Sequence, residues 1–346
     1  MSPEGTTPTT NPFSIISYHI GPDGSLNQVG SVDKSLFPFS VFEGTVGGPW
    51  LFACDLDSTL RPGRCLEFRL KVDGSIVPGA DISGMGFSHV AAVDPSGEWL
   101  LTFDFGTLGT RIFRIRADGS LLLGPTPLFQ NIGMAGLDLN GRLAASRFDP
   151  TGNFFIARDV SDASTTSGIY RFDAATGTFS FASSLPAEFF RTRPLGFSAD
   201  GKRLLQENTD DEPDLPADIY VFSWDSQRGV LALSGRLHIP FPEGAVYAAA
   251  DNLLFVVSNF SNGLKAFRVD PATLSATDTG QFFSPDGDST GQLVVNSKSH
   301  TMMLASPEEN IISVSRYDPA TGKVIEINGS PYSSCQNVMV VSLLQN

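Results

Sequence analysis

Lysine is scarce in this 346-residue chain: Lys and Arg together number 23 against 37 Asp and Glu, a net charge of −14. No Lys/Arg-rich run occurs, so a nucleic-acid backbone or an anionic membrane surface meets net repulsion, and neither is expected as a partner. Net charge leaves room for a local basic pocket that takes a small anion. No apolar run approaches the roughly 18 residues of a membrane-spanning helix, so no membrane insertion is expected. Histidine numbers four and cysteine three. Cys54, Cys65 and Cys335 lack the close pairing of zinc or thioredoxin-like sites, and His19, His238 and His300 lie far apart. No metal and no organic cofactor is therefore expected. The nucleophile elbow, the zinc-protease motif, the dinucleotide fingerprint and the phosphate loop are all missing. The segment PDGDSTG at 285–291 echoes a calcium loop through Asp286, Asp288 and Thr290. Position 297 is Ser where an EF-hand needs Glu, and the segment reads as a solvated turn. Helical patterning is nearly absent too, with SLPAEFFRTR (184–193) reading as a single turn.

What is abundant is Phe, with 27, and turn formers, with 34 Gly and 23 Pro. Such apolar content rules out disorder for the chain as a whole. Residues 1–12, MSPEGTTPTTNP, have neither basic nor apolar leader character and read as a flexible Thr/Pro tail. Tails of this kind follow removed signals, so an exported protein, periplasmic or secreted, is expected. Cys54 and Cys65 flank the loop DLDSTLRPGR. They suit either a disulfide across a hairpin in an oxidising compartment or two buried thiols. Asn259-Phe260-Ser261 and Asn328-Gly329-Ser330 match glycosylation acceptors, a pattern common by chance.

Internal repeats decide the architecture. An aromatic-rich strand, a turn on Asp and Gly, and another strand start at Tyr18, Phe68, Phe113, Tyr170, Val221, Phe267 and Ser315. Their mean spacing is close to 50 residues, (315 − 18)/6. A second unit precedes the later copies: a small-residue strand, a tight turn and an apolar strand. It is clear in VAAVDPSGEWLLTF (90–103), SRFDPTGNFFIA (146–157) and LGFSADGKRLLQ (195–206). Asp-Gly and Asp-Pro-x-Gly between apolar runs are hairpin turns, because Gly accepts the positive φ they require. Four short strands per repeat make one blade of a β-propeller. Six complete units run from Phe39 to about Ser334. FSIISYHI and SLNQVGS at the start and NVMVVSLL at the end are left over, and together they predict a seventh blade sealed by both termini. The expectation is an all-β, seven-bladed propeller over residues 13–346, one domain and a monomer.

One stretch is more specific. SHVAAVDPSGEWLLTFDFGTLGTRIFRI (88–115) resembles the lactonase family of seven-bladed propellers, which includes 6-phosphogluconolactonases and carboxymuconate-cyclising enzymes. His89, the turn Asp94-Pro95-Ser96-Gly97, Asp104-Phe105-Gly106 and Arg111 carry the resemblance. The family's next blade has a Pro-Arg-His strand and an Asn-Glu pair, where this chain reads AASRF (144–148) and ARDV (157–160). Arg193 occurs in a similar register one blade later, with Pro194 in the place of the His. The family's late Asn-Arg-Gly is represented by Asn259-Phe260-Ser261, without the Arg.

Opening a lactone requires a general base for water and cationic groups for the oxyanion and for any substrate carboxylate or phosphate. The resemblance implies His89 as the base, with Asp104 orienting it or fixing the loop. Arg147 and Arg193 are the candidate anion clamps. Each also has a plain structural reading: a hydrogen bond tying a blade to the channel for His89, a loop cap for Asp104, strand polarity for the arginines. Two functions follow. One is an enzyme acting on a small carboxylated or phosphorylated sugar or muconate lactone. The other is a non-catalytic exported propeller that binds an envelope protein or glycan.

Overall fold

A computed structural model describes residues 13–21, 23, 25–33, 42–47, 49–55, 65–82, 85, 89–104, 109–128, 146–157, 167–198, 200–208, 218–238, 244–258, 263–273, 275–284, 293–306 and 311–333. The chain begins with an antiparallel hairpin of β1 (Phe13–Ile20) and β2 (Leu26–Asp33). Six antiparallel sheets follow, each of four strands hydrogen-bonded in chain order. Sheet one holds β3 (Phe42–Gly47), β4 (Trp50–Asp55), β5 (Cys65–Leu70) and β6 (Ile76–Asp81). Sheet two holds β7 (His89–Val93), β8 (Trp99–Asp104), β9 (Gly109–Ile115) and β10 (Leu121–Leu123). Sheet three holds β11 (Arg147–Phe148), β12 (Phe154–Ala157), β13 (Gly168–Asp173) and β14 (Thr178–Ser183). Sheet four holds β15 (Thr192–Phe197), β16 (Arg203–Asn208), β17 (Asp218–Asp225) and β18 (Val230–His238). Sheet five holds β19 (Gly244–Ala248), β20 (Leu253–Ser258), β21 (Gly263–Val269) and β22 (Ala276–Phe283). Sheet six holds β23 (Leu293–Asn296), β24 (Thr301–Ser306), β25 (Ile311–Tyr317) and β26 (Val324–Glu326). A short β27 (Tyr332–Ser333) extends its outer edge against β25. The expected single turn within 184–193 is a 3₁₀ helix at Ala187–Arg191.

The repeated turns hold themselves with side chains. Between the first and second strands, the Asp94 carboxylate accepts the amides of Glu98 and Trp99 at 2.9 and 2.7 Å. Asp149 accepts the Phe154 amide at 2.9 Å, and at the same place in sheet four the Ser198 hydroxyl accepts that of Arg203 at 3.0 Å. Between third and fourth strands, Asp73 and Asp118 each bind the amide and hydroxyl of the Ser two residues on. Those bonds hold both carboxyls below the usual carboxylate range.

Among the described residues, seven apolar clusters fill the spaces between consecutive layers. Trp50 and Phe52 of sheet one meet Leu100 and Phe113 of sheet two, and Trp99 and Leu101 meet Phe148 and Phe155 of sheet three. The pattern repeats through sheets three to six. The last two clusters involve the hairpin: Leu26 packs with Met303 and Val314 of sheet six, and Val32 with Phe68 of sheet one. The first strands β3, β7 and β11 lie side by side, as do β15, β19 and β23, so first strands line the inside of a ring. This is a β-propeller, as the repeats predict.

The blade count differs from the expectation. Among the described residues there are six four-stranded blades, and the seventh position, between sheets six and one, is filled by two strands only. The hairpin is anchored there by the Leu26 amide donating to the Tyr332 hydroxyl at 3.2 Å and by the Ser17 hydroxyl donating to the Gly74 carbonyl at 2.6 Å. The C-terminal strand expected at 337–344 lies outside the described residues. So do the tail 1–12, Cys335, the turn 285–291 and the acceptor Asn259-Phe260-Ser261. Cys65 is buried and disulfide-bonded, and the ladder sets Cys54 directly across from it.

Candidate functional site

His89 opens β7, the innermost strand of sheet two, opposite Phe103 at the end of β8. Asp104 closes β8, opposite Gly109. Arg193 is the second residue of β15, opposite Glu207. His89 and Arg193 each stand five residues ahead of their blade's turn acceptor, Asp94 and Ser198. All three candidates therefore sit at one end of the ring, where first strands begin, here called the upper end. For these three the structure describes backbone positions. Arg147 stands two residues ahead of its acceptor, Asp149, so it lies deeper along the innermost strand of sheet three.

Arg147 is the candidate whose surroundings are on view. It pairs with Ile156 in the ladder, on the face of sheet three that packs against sheet four. Its Nε is sealed from solvent and has no hydrogen-bond partner among the described residues. Burial lowers its pKa to about 10, which leaves the guanidinium charged at neutral pH. A buried N–H of a cation left without an acceptor is costly, and an anion that accepts from it relieves that cost.

Two groups at the upper end escaped the sequence reading. Thr102 and Thr110 are buried, and neither hydroxyl has a partner among the described residues. Thr102 pairs with Val90, next to His89, and Thr110 pairs with Phe103, opposite His89. The one available signal was a Thr inside the apolar run WLLTF. Glu207 is the third omission, a carboxylate-bearing residue at Arg193's own register. Arg111, by contrast, has a structural task. It donates from Nη1 to the Met85 carbonyl at 2.9 Å and ties down the approach to β7.

A separate cluster lies at the opposite end. Tyr317 donates to Asp251 at 2.5 Å, and Nε2 of the half-exposed His300 stands 3.5 Å from the other oxygen of that carboxylate. Burial, followed by the bond to Asp251, drives the Tyr317 hydroxyl far above its ordinary pKa. No group of three or more potential metal ligands occurs among the described residues. No helix there is long and apolar enough to cross a membrane.

No family model matches the chain, and no curated protein matches it by sequence. Solved structures do match it. A Bacteroides fragilis protein provisionally named a 6-phosphogluconolactonase superposes with a TM-score of 0.65 at 16% identity, covering 96% of this chain and 95% of its own. One from Bacteroides uniformis, named in the same provisional way, gives 0.64 at 18%, covering 96% of each. The periplasmic gluconolactonase of Pseudomonas aeruginosa gives 0.59 at 18%, covering 90% of this chain and 91% of its own. Near-complete coverage in both directions means that the whole ring corresponds, not a shared blade or two. The chain has the fold of the 6-phosphogluconolactonase-like lactonase propellers.

Proposed function

We propose that this protein is a lactonase that hydrolyses a small lactone bearing a carboxylate or phosphate at the upper end of its ring. The observation that carries the reading is Arg147: a guanidinium on an innermost strand whose buried Nε has no hydrogen-bond partner among the described residues, in a fold shared with lactonases. In this reading His89 takes a proton from water as the water oxygen attacks the lactone carbonyl. Arg193 steadies the oxyanion that forms, and Asp104 orients the base. The ring C–O bond then breaks, and its oxygen leaves with the proton held by His89, giving a hydroxy acid. Run backwards, the same groups would close a lactone. Arg147 holds the substrate's distal anion.

Two structural readings accompany this one. The seventh blade is sealed by both termini, as the segments left over at the two ends of the repeats suggest. The protein works outside the cytoplasm as a monomer. The Cys65 disulfide supports an oxidising compartment, and a propeller of the same fold is periplasmic.

Arg147→Gln tests the substrate class. A charge-assisted hydrogen bond contributes roughly 1.5–3 kcal/mol, so KM for 6-phosphogluconolactone should rise about tenfold or more. KM for uncharged gluconolactone should move less than about twofold. Equal effects on both lactones would contradict an anion seat at this residue.

A further inference from the structure

Glu67 lies on β5 of sheet one, in a run, CLEFRL, where a solvent-facing position would be unremarkable. It is instead 3% exposed. Its carboxyl accepts the Ala80 amide of β6, and Oε2 is buried with no hydrogen-bond partner among the described residues. The slot around it is built from missing side chains. A Cβ on Gly79 of β6 would come 2.5 Å from Oε1. One on Gly119 would come 2.3 Å from Oε1 and 2.8 Å from the Trp50 ring. Gly119 belongs to the turn between β9 and β10, so the carboxyl of sheet one is roofed by a turn of sheet two. Gly119 has φ +88°, a conformation that other residues adopt only with strain.

We propose that Glu67 is a proton-gated wedge between sheets one and two: neutral, it seats the Arg116–Ser120 turn on sheet one, and ionised, it releases that turn. Among the described residues no cation pairs with a bare carboxylate in this slot. Asp118, in the roof itself, is held ionised by the Ser120 hydroxyl and amide and by the charge of Arg116, and it repels a second negative charge. From β5, Arg69 lies over the Trp50 ring, 5.4 Å from its centroid. From β6, Gly79 and Ala80 are uncharged, and Asp81 stands opposite Leu66 in the ladder. The ionised group reaches water most simply by lifting its roof, which is held by backbone bonds within the turn and by contact with Trp50 and Glu67. Burial, followed in the same direction by Asp118, raises the carboxyl from 4.5 to about 7, so the change falls near neutrality. This device does not depend on the reaction proposed above.

The protein contains its own control. The Asp73–Ser75 turn has the same Asp-Gly-Ser sequence and the same internal bonds, but its Gly74 packs on Val29 of the hairpin. Amide hydrogen exchange, corrected for intrinsic rates, should be compared at pH 5.5 and 8.5 for both turns. The wild type should lose protection at 116–120 by about tenfold or more at the higher pH, with 71–75 unchanged. Glu67→Gln keeps the shape and removes the charge, and its 116–120 turn should be equally protected at both values. Equal behaviour of the two turns in the wild type would overturn the proposal. So would a pH dependence at 116–120 that survives in Glu67→Gln.

Discussion

At the scale of single residues, two ionisable groups stand out because each has a buried side-chain atom with no hydrogen-bond partner among the described residues. Arg147 and Glu67 differ in sign and place. Arg147 lies on the inner strand of sheet three, the seat proposed for a substrate anion. Glu67 lies in a seam between blades, where only a proton can relieve it. For Glu67 the linkage has a definite direction. Its folded pKa of about 7 exceeds the unfolded value near 4.5, so the native state binds more protons between those limits. The stability that Glu67 contributes is full at and below about pH 4.5, falls as pH rises towards 7, and levels off above it. Denaturant titrations of Glu67→Gln should lack that decline, which amounts to roughly 1–3 kcal/mol in the wild type. A parallel decline in both proteins would assign it to other groups. Neither residue's condition was legible in the sequence. Arg147 reads as strand polarity and Glu67 carries no motif, because burial depends on which neighbour roofs the side chain, and that neighbour lies a blade away.

At the scale of elements, one contact recurs from blade to blade. A large side chain at the start of a second strand inserts beneath the glycine of the outer turn on the next blade. Trp50 meets Gly119, Trp99 meets Gly177, and Phe154 meets Gly229. A third-strand arginine covers the same ring from outside: Arg69 over Trp50, Arg114 over Trp99, Arg171 over Phe154. Trp99 adds a bond from Nε1 to the Ala174 carbonyl at 2.8 Å. Gly177 has φ +73°, and a Cβ there would stand 2.4 Å from the Trp99 ring. Gly177→Ala should therefore destabilise by roughly 1–3 kcal/mol, read as a lowered denaturant midpoint. An unchanged midpoint would mean that the ring is not held at this contact. This level was the most legible in the sequence. The turn residues Asp94, Asp118 and Asp149 announce themselves, because an Asp–Gly turn is a local decision, whereas the side chain that packs beneath it is not.

At the scale of the whole molecule, the ring closes through its first residues. The hairpin β1–β2 covers Met303 and Val314 on one side and Phe68 on the other. Deleting residues 13–33 would open both seams, and the shortened chain should lose cooperative thermal unfolding. A cooperative transition close to that of the intact protein would show the hairpin to be dispensable. Repeat spacing alone predicts the propeller and its six full blades. It also predicts a seventh full blade, where the described residues supply two strands only. The upper end was legible in part: the register sets His89, Asp104 and Arg193 at one end of the ring, while Thr102, Thr110 and Glu207 gave little signal. The most direct test of the account is lactone hydrolysis, corrected for the spontaneous rate, by the wild type and by His89→Ala of unaltered circular dichroism. The substrates are 6-phosphogluconolactone, gluconolactone and a muconolactone. Wild-type turnover well above background is expected on at least one of them, with a preference for a charged lactone, falling to background in the variant. A folded wild type that turns over none of them, or a variant as active as the wild type, would contradict it, and the former would point to a propeller that binds without catalysis.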